Sequence, residues 1–244
     1  MKKMRLDKFL SEMGVDTRKN LKEMIRCGRI TVNGQPAAKP ELRVDAETDL
    51  VAADGVPVVY EEFQYFMLNK PQGVVTASRD RFQRTVLELL PAPRRRDLSP
   101  VGRLDKDTEG LLLITNDGVL SHRLLAPGRH VPKEYYAVID GRVGSADQHA
   151  FQEGLDIGDE TPTLPADLFI LEAGELSRVI VTIEEGRFHQ IKRMFEALDK
   201  RVTFLKRLSM GPLRLDECLK PGESRRLTQE ELKELMKPKN ARER

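Results

Sequence analysis

An unbroken apolar run at residues 111–114 constrains the fold more than any other stretch of this chain. It lies within GRLDKDTEGLLLITNDG, residues 102–118, where Asp105, Asp107 and Glu109 come just before it. Four consecutive apolar residues predict a strand that is buried on both faces, and therefore an inner strand of a sheet. Three acids at the entrance of such a strand indicate a solvated turn, a metal-binding loop or a catalytic carboxylate.

The apolar patterning of the rest of the chain predicts strands and helices that do not alternate regularly. We expect strands at 64–69, 111–115, 134–140, 168–172 and 178–184. We expect helices at 84–90, 118–125, 145–153, 188–198 and 228–236. The last helix opens on a capping box formed by Thr228 and Glu231. This mixture predicts an α+β fold with a mostly antiparallel sheet rather than a doubly wound fold.

The N-terminal part of the chain predicts a small helix-helix-strand module. Apolar residues recur with helical spacing over residues 6–13, which predicts an amphipathic helix. Asn20 and Glu23 indicate a capping box within a second short helix. A strand at 29–32 then leads into an Asn33–Gly34 turn, the strongest short hairpin signal.

The net charge is only +2, but the charges are unevenly distributed. Residues 1–43 hold eleven Lys and Arg against five Asp and Glu, whereas residues 44–62 hold six acids and no Lys or Arg. Basic surfaces bind phosphate backbones, so a phosphate polymer is the first partner to consider. A solvated charged face without any partner explains the charge equally well.

These shifts in composition divide the chain into regions. We expect a small basic domain at 1–60, in which residues 45–62 form an acidic hinge with one or two short strands. A larger domain is expected at 63–236, and the tail at 237–244 is expected to be disordered. Two prolines predict a loop at 91–97 within the larger domain.

Several classes of protein are excluded by the sequence. No apolar stretch approaches the roughly 20 residues of a membrane span, so no membrane partner is expected. The start, MKKMRLDKFLSEMG, has no apolar core and is not a secretory signal. Cys27 and Cys218 are isolated from each other and from further ligands, which is typical of reduced thiols in the cytoplasm.

The acidic stretch fits metal binding and two-carboxylate chemistry poorly. Asp105, Asp107, Glu109 and Gly110 match the opening of a calcium-binding loop, but Asn116 stands where a bidentate Glu is required, so no metal is expected. A glycosidase needs two carboxyl groups about 5 to 9.5 Å apart across a sugar. Acids on one turn lie on one side of a substrate, and the chain has no Trp to stack on a sugar.

A single working carboxylate, paired with a distant cation, is the remaining interpretation. Asp105 follows Gly102, which lets backbone approach a ligand, and Arg103, whose guanidinium binds phosphate or carboxylate. An Asp preceded by Arg is also common in purely structural turns. The residues of this stretch alone therefore leave its role open.

Three further stretches carry a family resemblance. They are YFMLNKPQGVV at 65–75, PKEYYAV at 132–138 and EEGRFHQIKRMF at 184–195. Together with GRLDKDTEGLLLITNDG they resemble the RsuA-type family of ribosomal RNA pseudouridine synthases. RLDKFLSEMGVDTRKNLKEMIRCGRITVNG resembles the S4 RNA-binding module that this family often carries. The resemblance runs in order from about residue 4 to residue 232.

The resemblance implies a catalytic domain with a long, bent, mostly antiparallel sheet and a cleft across it. It implies isomerisation of a uridine within RNA, in which the N1–C1′ bond breaks and C5 bonds to C1′, without cofactor or metal. The partner implied is ribosomal RNA or a partially assembled subunit, and the motifs look most like the small-subunit branch. Large-subunit RNA is the alternative substrate, and a non-catalytic assembly factor is the alternative from another class. We expect a monomer.

The resemblance also implies roles for individual residues. The catalytic aspartate matches Asp105 and the active-site tyrosine matches Tyr135, while Tyr136 is expected to pack on the opposite face. The basic partner of the aspartate matches Lys192, where many relatives have Arg. Asp107 and Glu109 are expected only to orient the turn. Packing for Tyr135 and a solvated helix face for Lys192 are the alternative interpretations.

RNA contacts are expected in both domains. Those near the catalytic residues are Arg103, Arg187, His189, Gln190 and Arg193. Lys70 is expected to support the cleft as a turn residue, with an RNA contact as the alternative. Those of the S4-like module are Arg5, Lys8, Arg18, Lys19, Lys22, Arg26 and Arg29. Six to ten phosphate contacts would lower the affinity roughly 10³- to 10⁵-fold between 50 and 200 mM salt.

Overall fold

The computed structural model describes residues 3–237 and divides them into two compact units. The first unit contains residues 3–64 and 90–99, and the second contains 65–89 and 100–237. Of the tail expected to be disordered, residues 238–244 lie outside the described residues.

The first unit combines two helices with short antiparallel strands. Its elements are β1 Lys3–Arg5, α1 Leu6–Glu12, α2 Arg18–Arg26, β2 Ile30–Val32, β3 Gln35–Pro36, β4 Arg43–Asp45, β5 Val51–Ala53 and β6 Val56–Pro57. Strand β1 pairs with β4, and the other strands form a sheet in the order β3-β2-β5-β6. Strands β5 and β6 confirm the short strands expected within the acidic stretch 45–62.

The apolar face predicted for the first helix forms the core of this unit. Leu6, Phe9 and Leu10 are at most 1% exposed and pack with the buried face of α2. The capping box expected at Asn20 and Glu23 is wrong. The N-cap of α2 is Thr17, whose side chain accepts a hydrogen bond from the backbone N of Asn20 at 3.2 Å.

Residues 90–99 belong to the first unit, although their place in the sequence lies within the range expected for the catalytic domain. Arg95 explains this grouping, because its guanidinium is 6% exposed and donates to Asp97 at 2.7 Å and to the carbonyl oxygen of Glu61 at 2.9 Å. Its backbone N also donates to Gln64 Oε1 at 3.0 Å. A buried guanidinium needs such partners, and they tie the loop to the first unit.

The second unit is built around one large sheet. Its helices are α3 Gly118–Leu125, α4 Ser145–Glu153, α5 Gln190–Glu196 and α6 Gln229–Met236, with 3-10 turns at Val86–Leu89 and Pro127–Arg129. Its strands are β7 Tyr65–Lys70, β9 Glu109–Thr115, β10 Lys133–Asp140, β11 Asp167–Glu172, β12 Leu176–Ile183, β13 Arg201–Met210, β14 Leu213–Arg214 and β15 Ser224–Arg226. Of the short strand β8 Ser99–Pro100, Ser99 is assigned to the first unit and Pro100 to the second.

The sheet confirms the mostly antiparallel α+β architecture. Its order is β11-β12-β10-β13-β9-β7-β15, and of these neighbours β13 and β9 pair in parallel while the others pair antiparallel. Strand β9 lies between β13 and β7, and its residues after Glu109 are all buried. The inner strand predicted from the apolar run is therefore confirmed, as is the capping box of Thr228 and Glu231.

Several elements differ from the sequence expectation, and two of them have a clear physical reason. The helix expected at 84–90 is a short 3-10 turn, Val86–Leu89, because Glu88 Oε1 accepts a hydrogen bond from the backbone N of Thr85 and Pro91 follows directly. Strand β13 was not predicted, because Lys206 and Arg207 interrupt its apolar alternation. It lies between β10 and β9 all the same, and it buries Arg207 at 2% exposure.

Candidate active site

The loop that carries Asp105 is fixed by hydrogen bonds from the segment that follows β7. Thr76 Oγ1 donates to the carbonyl oxygen of Leu104 at 2.7 Å, and the backbone N of Gly73 donates to the carbonyl oxygen of Lys106 at 2.8 Å. Within the loop, the backbone N of Thr108 donates to the carbonyl oxygen of Asp105 at 3.1 Å. The Lys-Pro-Gln-Gly turn and the aspartate loop therefore form one rigid assembly.

Lys70 lies beneath this assembly, and its ammonium group is bound to the protein itself, which favours the supporting role over the RNA contact. Its side chain is 0% exposed, and Nζ donates to the carbonyl oxygens of Asp105 and Thr108 at 2.9 Å each. It donates further to those of Pro71 at 3.1 Å and Lys106 at 3.3 Å. Burial lowers the pKa of Lys70 to about 8, against the opposing effect of the nearby acids. Lys70 thus holds the backbone that presents Asp105.

The Asp105 carboxylate lies beside Lys192, the cation that the family resemblance assigned to it. Lys192 Nζ on α5 is 3.2 Å from Asp105 Oδ2 and 2.6 Å from Asp107 Oδ1. Burial opposes the charge on Lys192, but its hydrogen bonds to the two carboxylates outweigh burial and raise its pKa. The hydrogen bond between Lys192 and Asp107 lowers the pKa of Asp107. Asp107 is therefore more than a turn residue, because it competes with Asp105 for one ammonium group.

Tyr135 completes this arrangement from the sheet. It lies on β10, opposite Val181 of β12 and Arg207 of β13, and is 8% exposed. One pocket is lined by Asp105, Tyr135, Lys192, Arg103, Thr108, Ile183, His189 and Leu205, among others. Tyr136 alternates to the opposite face and packs edge-on against Phe204, with ring centroids 6.1 Å apart, as expected.

Arg187 and Gln190 were expected to contact RNA, but their polar groups are engaged inside the protein. Arg187 donates to the carbonyl oxygens of Thr161 at 2.6 Å and Pro162 at 2.8 Å, and to Glu185 at 3.0 Å. Gln190 is 4% exposed; its amide donates to Glu185 at 2.9 Å and accepts from the backbone N of Arg187 at 3.0 Å. Both side chains brace the loop that leads into α5.

Arg193 was likewise expected to contact RNA and instead fastens this loop. Its guanidinium donates to Asp159 Oδ1 at 2.5 Å, to the carbonyl oxygen of Phe188 at 3.1 Å and to that of Ile157. The pKa of Asp159 is lowered by its hydrogen bond to Arg193. The bonds to Ile157 and Asp159 reach more than 30 positions back along the chain, so the sequence of the loop did not predict them.

His189 and Arg103 line the pocket together with Arg187 and Gln190. His189 Nε2 lies 3.6 Å from Asp105 Oδ1, and its backbone has a left-handed φ of 50°. The ring of Phe188 stacks on that of His189, with centroids 3.8 Å apart and planes 17° apart. Sequence reasoning missed Phe188, although an aromatic residue in a Gly- and Arg-containing loop beside the His was a signal that could have found it.

The second helix of the first unit presents a basic face. Leu21, Met24 and Ile25 are buried, while the cations on the other side of α2 are exposed: Arg18, Lys19, Lys22 and Arg26. Arg26 pairs with Glu23 on the same helix, and the remaining cations expected to track phosphate also pair with carboxylates: Arg5 with Asp7 and Glu41, Lys8 with Glu12, and Arg29 with Asp54. The Arg26 and Arg29 pairs are exposed on both sides and therefore weak, so phosphate groups can replace their carboxylates, whereas the Asp7 partner of Arg5 is buried.

Two features are absent from residues 3–237. Within that part of the chain, no group of three or more His, Cys, Asp or Glu side chains is arranged to hold a metal ion. None of the helices in the same range is both long and apolar enough to cross a membrane.

Comparisons with known proteins agree with this geometry. Residues 64–197 match the RNA pseudouridylate synthase family, and residues 4–51 match the S4 domain. An uncharacterized RNA pseudouridine synthase of Bacillus subtilis, YtzG, is 46% identical over 96% of this chain and 99% of its own length. The ribosomal small subunit pseudouridine synthase A of Escherichia coli is 40% identical over 94% of this chain and 98% of its own.

A solved structure supports the same assignment. A crystal structure of a pseudouridylate synthase superposes with a TM-score of 0.67 at 39% identity, covering 95% of this chain and 99% of that one. The resemblance found in the sequence motifs is thereby confirmed over nearly the whole chain. The chain belongs to the RNA pseudouridylate synthase family and carries an S4 domain, and it is accordingly an RNA-binding isomerase of uridine.

Proposed function

We propose that this enzyme converts a specific uridine of small-subunit ribosomal RNA to pseudouridine, with Asp105 as its working carboxylate. The observation that carries the proposal is the 3.2 Å contact between Asp105 and Lys192 in a pocket that Tyr135 also lines. The small-subunit substrate is supported by relatives such as the Escherichia coli and Haemophilus influenzae enzymes, both named for that subunit, each 40% identical to this chain.

The reaction keeps every atom of the uridine and moves one bond. The N1–C1′ bond breaks with its electron pair going to the uracil, the base turns, C5 bonds to C1′, and the proton on C5 leaves for N1 or solvent. An ionised Asp105 serves either route. If it attacks C1′ directly, the ester bond that it forms breaks again as C5 bonds to C1′; if it removes the proton on C2′ to give a glycal, it returns that proton to C2′ as C5 bonds to C1′. Lys192 keeps a positive charge beside that carboxylate throughout.

Tyr135 and the pocket supply position. The target base lies inside folded RNA, so it must be extruded at a cost of a few kcal/mol before it reaches the pocket. Tyr135 offers a ring on which the extruded uracil stacks, near the C5 that must lose its proton. Arg103, exposed at the pocket, is a guanidinium able to bind the RNA backbone there.

The S4 domain would hold the RNA without reading the target uridine. The exposed cations of α2 are suited to phosphate, and contacts of that kind give orientation rather than sequence discrimination. The substrate would be either free ribosomal RNA or a partially assembled subunit. The proposal places the enzyme in the cytoplasm, where bacterial ribosomes are made, and the expected monomer is testable by light scattering.

The experiment treats ribosomal RNA from a strain lacking this gene with purified enzyme. Pseudouridine is then mapped over both subunits by carbodiimide-stop primer extension, comparing wild type, Asp105→Asn and the matched Asp107→Asn. We expect one new stop in small-subunit RNA that Asp105→Asn abolishes and Asp107→Asn retains. A stop in large-subunit RNA would reject small-subunit RNA as the substrate. Full activity of Asp105→Asn would reject Asp105 as the working carboxylate. If the enzyme binds RNA but produces no stop, even on subunit particles, a non-catalytic assembly factor is favoured.

A further inference from the structure

The exposed ring of Phe188 stands at the rim of the pocket without a packing role in the core. The side chain is 75% exposed, and its one aromatic neighbour among the described residues is His189, on which it stacks. Phe188 does not itself line the pocket, whereas His189 does. A large aromatic surface left in water beside a functional site is a feature that calls for a ligand.

The backbone of the loop that carries Phe188 is fastened by hydrogen bonds, and its ring is stacked on His189. Arg187 on one side is bound to the carbonyl oxygens of Thr161 and Pro162. Arg193 donates to the carbonyl oxygen of Phe188 itself at 3.1 Å. Little conformational entropy is therefore lost when the ring makes a new contact, which favours binding.

The rings form a short path that leads outward from the reacting carboxylate. His189 Nε2 is 3.6 Å from Asp105, and the Phe188 ring covers the His189 ring at 3.8 Å between centroids. A partner stacked on the open surface of Phe188 would thus lie one layer beyond the pocket.

We propose that Phe188 stacks on an unpaired base of the RNA next to the extruded uridine. This inference rests on the proposed function, because it takes the pocket to be the uridine site. Extrusion of a uridine deprives its neighbours of a stacking partner, and an exposed aromatic ring replaces that partner for any base, since every base has a π-face. Phe188 is therefore a positioning residue that holds the RNA strand and does not touch the reacting atoms.

The absence of tryptophan from the sequence allows a direct test. Phe188→Trp introduces a single indole at the position, and Phe169→Trp provides a matched control on β11, where Phe169 is 63% exposed and lines no part of the pocket. Both variants are titrated with in vitro transcribed small-subunit ribosomal RNA to saturation, as judged by filter binding. Base stacking quenches indole emission, so we expect quenching in Phe188→Trp and little change in Phe169→Trp.

Kinetics of the truncated variants test the role in positioning. We expect Phe188→Ala to raise KM for the RNA about 5- to 150-fold, the range that corresponds to the loss of one stacked base. Because the reacting groups are untouched, kcat should change less than about 3-fold. Phe188→Trp should restore KM, and Phe169→Ala should behave as wild type. All these exchanges are at exposed side chains, so unchanged melting temperatures are expected.

The outcomes separate this inference from the proposed function. If wild type modifies the RNA but Phe188→Trp is unquenched at saturation, or Phe188→Ala keeps the wild-type KM, the stacking role is rejected. If wild type makes no pseudouridine although Phe188→Trp is quenched and Phe188→Ala binds the RNA more weakly, the stacking role stands and the proposed reaction fails. A fall in kcat alone, with KM unchanged, would also reject positioning by stacking.

Discussion

Replacing Lys70 with methionine tests whether a buried ammonium group holds the catalytic loop in place. The wild-type side chain is 0% exposed, and its Nζ donates to carbonyl oxygens that include those of Asp105 and Thr108. Methionine is similar in length but offers no donor. The exchange should leave buried oxygens unsatisfied, at about 1–3 kcal/mol for each that finds no other partner.

Because the pKa of Lys70 is lowered on folding, the stability difference between wild type and Lys70→Met should depend on pH in a known direction. A fall from 10.5 to about 8 on folding corresponds to a cost of about 3 kcal/mol for the buried charge. Between these two values the unfolded chain holds the proton and the folded chain does not, so wild type gains stability as the pH rises. Relative to Lys70→Met, its free energy of unfolding should increase by about 3 kcal/mol across that window.

Urea unfolding of both proteins at a series of pH values measures this difference. The same exchange at the exposed Lys220 is the control and should change stability by no more than about 0.5 kcal/mol at neutral pH. In the RNA modification assay, Lys70→Met should lower kcat roughly 10²-fold, because displacing a reactive group by about 1 Å has an effect of that size. A wild-type kcat, together with a stability difference that does not vary with pH, would refute the positioning role.

Three further predictions concern other parts of the chain. Lys192→Met should lower kcat about 10- to 150-fold, because a hydrogen bond between charged groups is lost, whereas Lys192→Arg should retain most of the wild-type kcat. Equal losses of kcat in the two variants, measured in steady-state assays, would argue against a role for the charge. Lys22→Glu, on the exposed face of α2, should reduce the slope of log affinity against log salt by about 1 in filter binding; an unchanged slope would remove Lys22 from the RNA surface. Thr228→Ala should destabilise α6 by about 1 kcal/mol in urea unfolding, and no change would show that the cap is dispensable.

The sequence was sufficient wherever a local pattern decides the structure. The apolar run at 111–114 predicted the inner strand β9, and the Thr228–Glu231 spacing predicted the cap of α6. These two features succeed because periodicity and capping depend on residues within one or two turns of each other. The pairing of Asp105 with Lys192, whose side chains lie 3.2 Å apart, followed instead from the family resemblance.

The tertiary structure alone decided what each charged side chain does. Lys70, Arg187 and Arg193 were indistinguishable in the sequence from cations that face RNA, yet each is bound to oxygens of the protein itself. Each has at least one partner about 25 to 40 positions away along the chain, and no local pattern predicts such a partner. Strand β13 escaped prediction for the same reason, since the sheet buries Arg207 against the carbonyl oxygen of Leu111. A buried cation is stable only where packing supplies acceptors, so its role is set by distant backbone rather than by its neighbours in sequence.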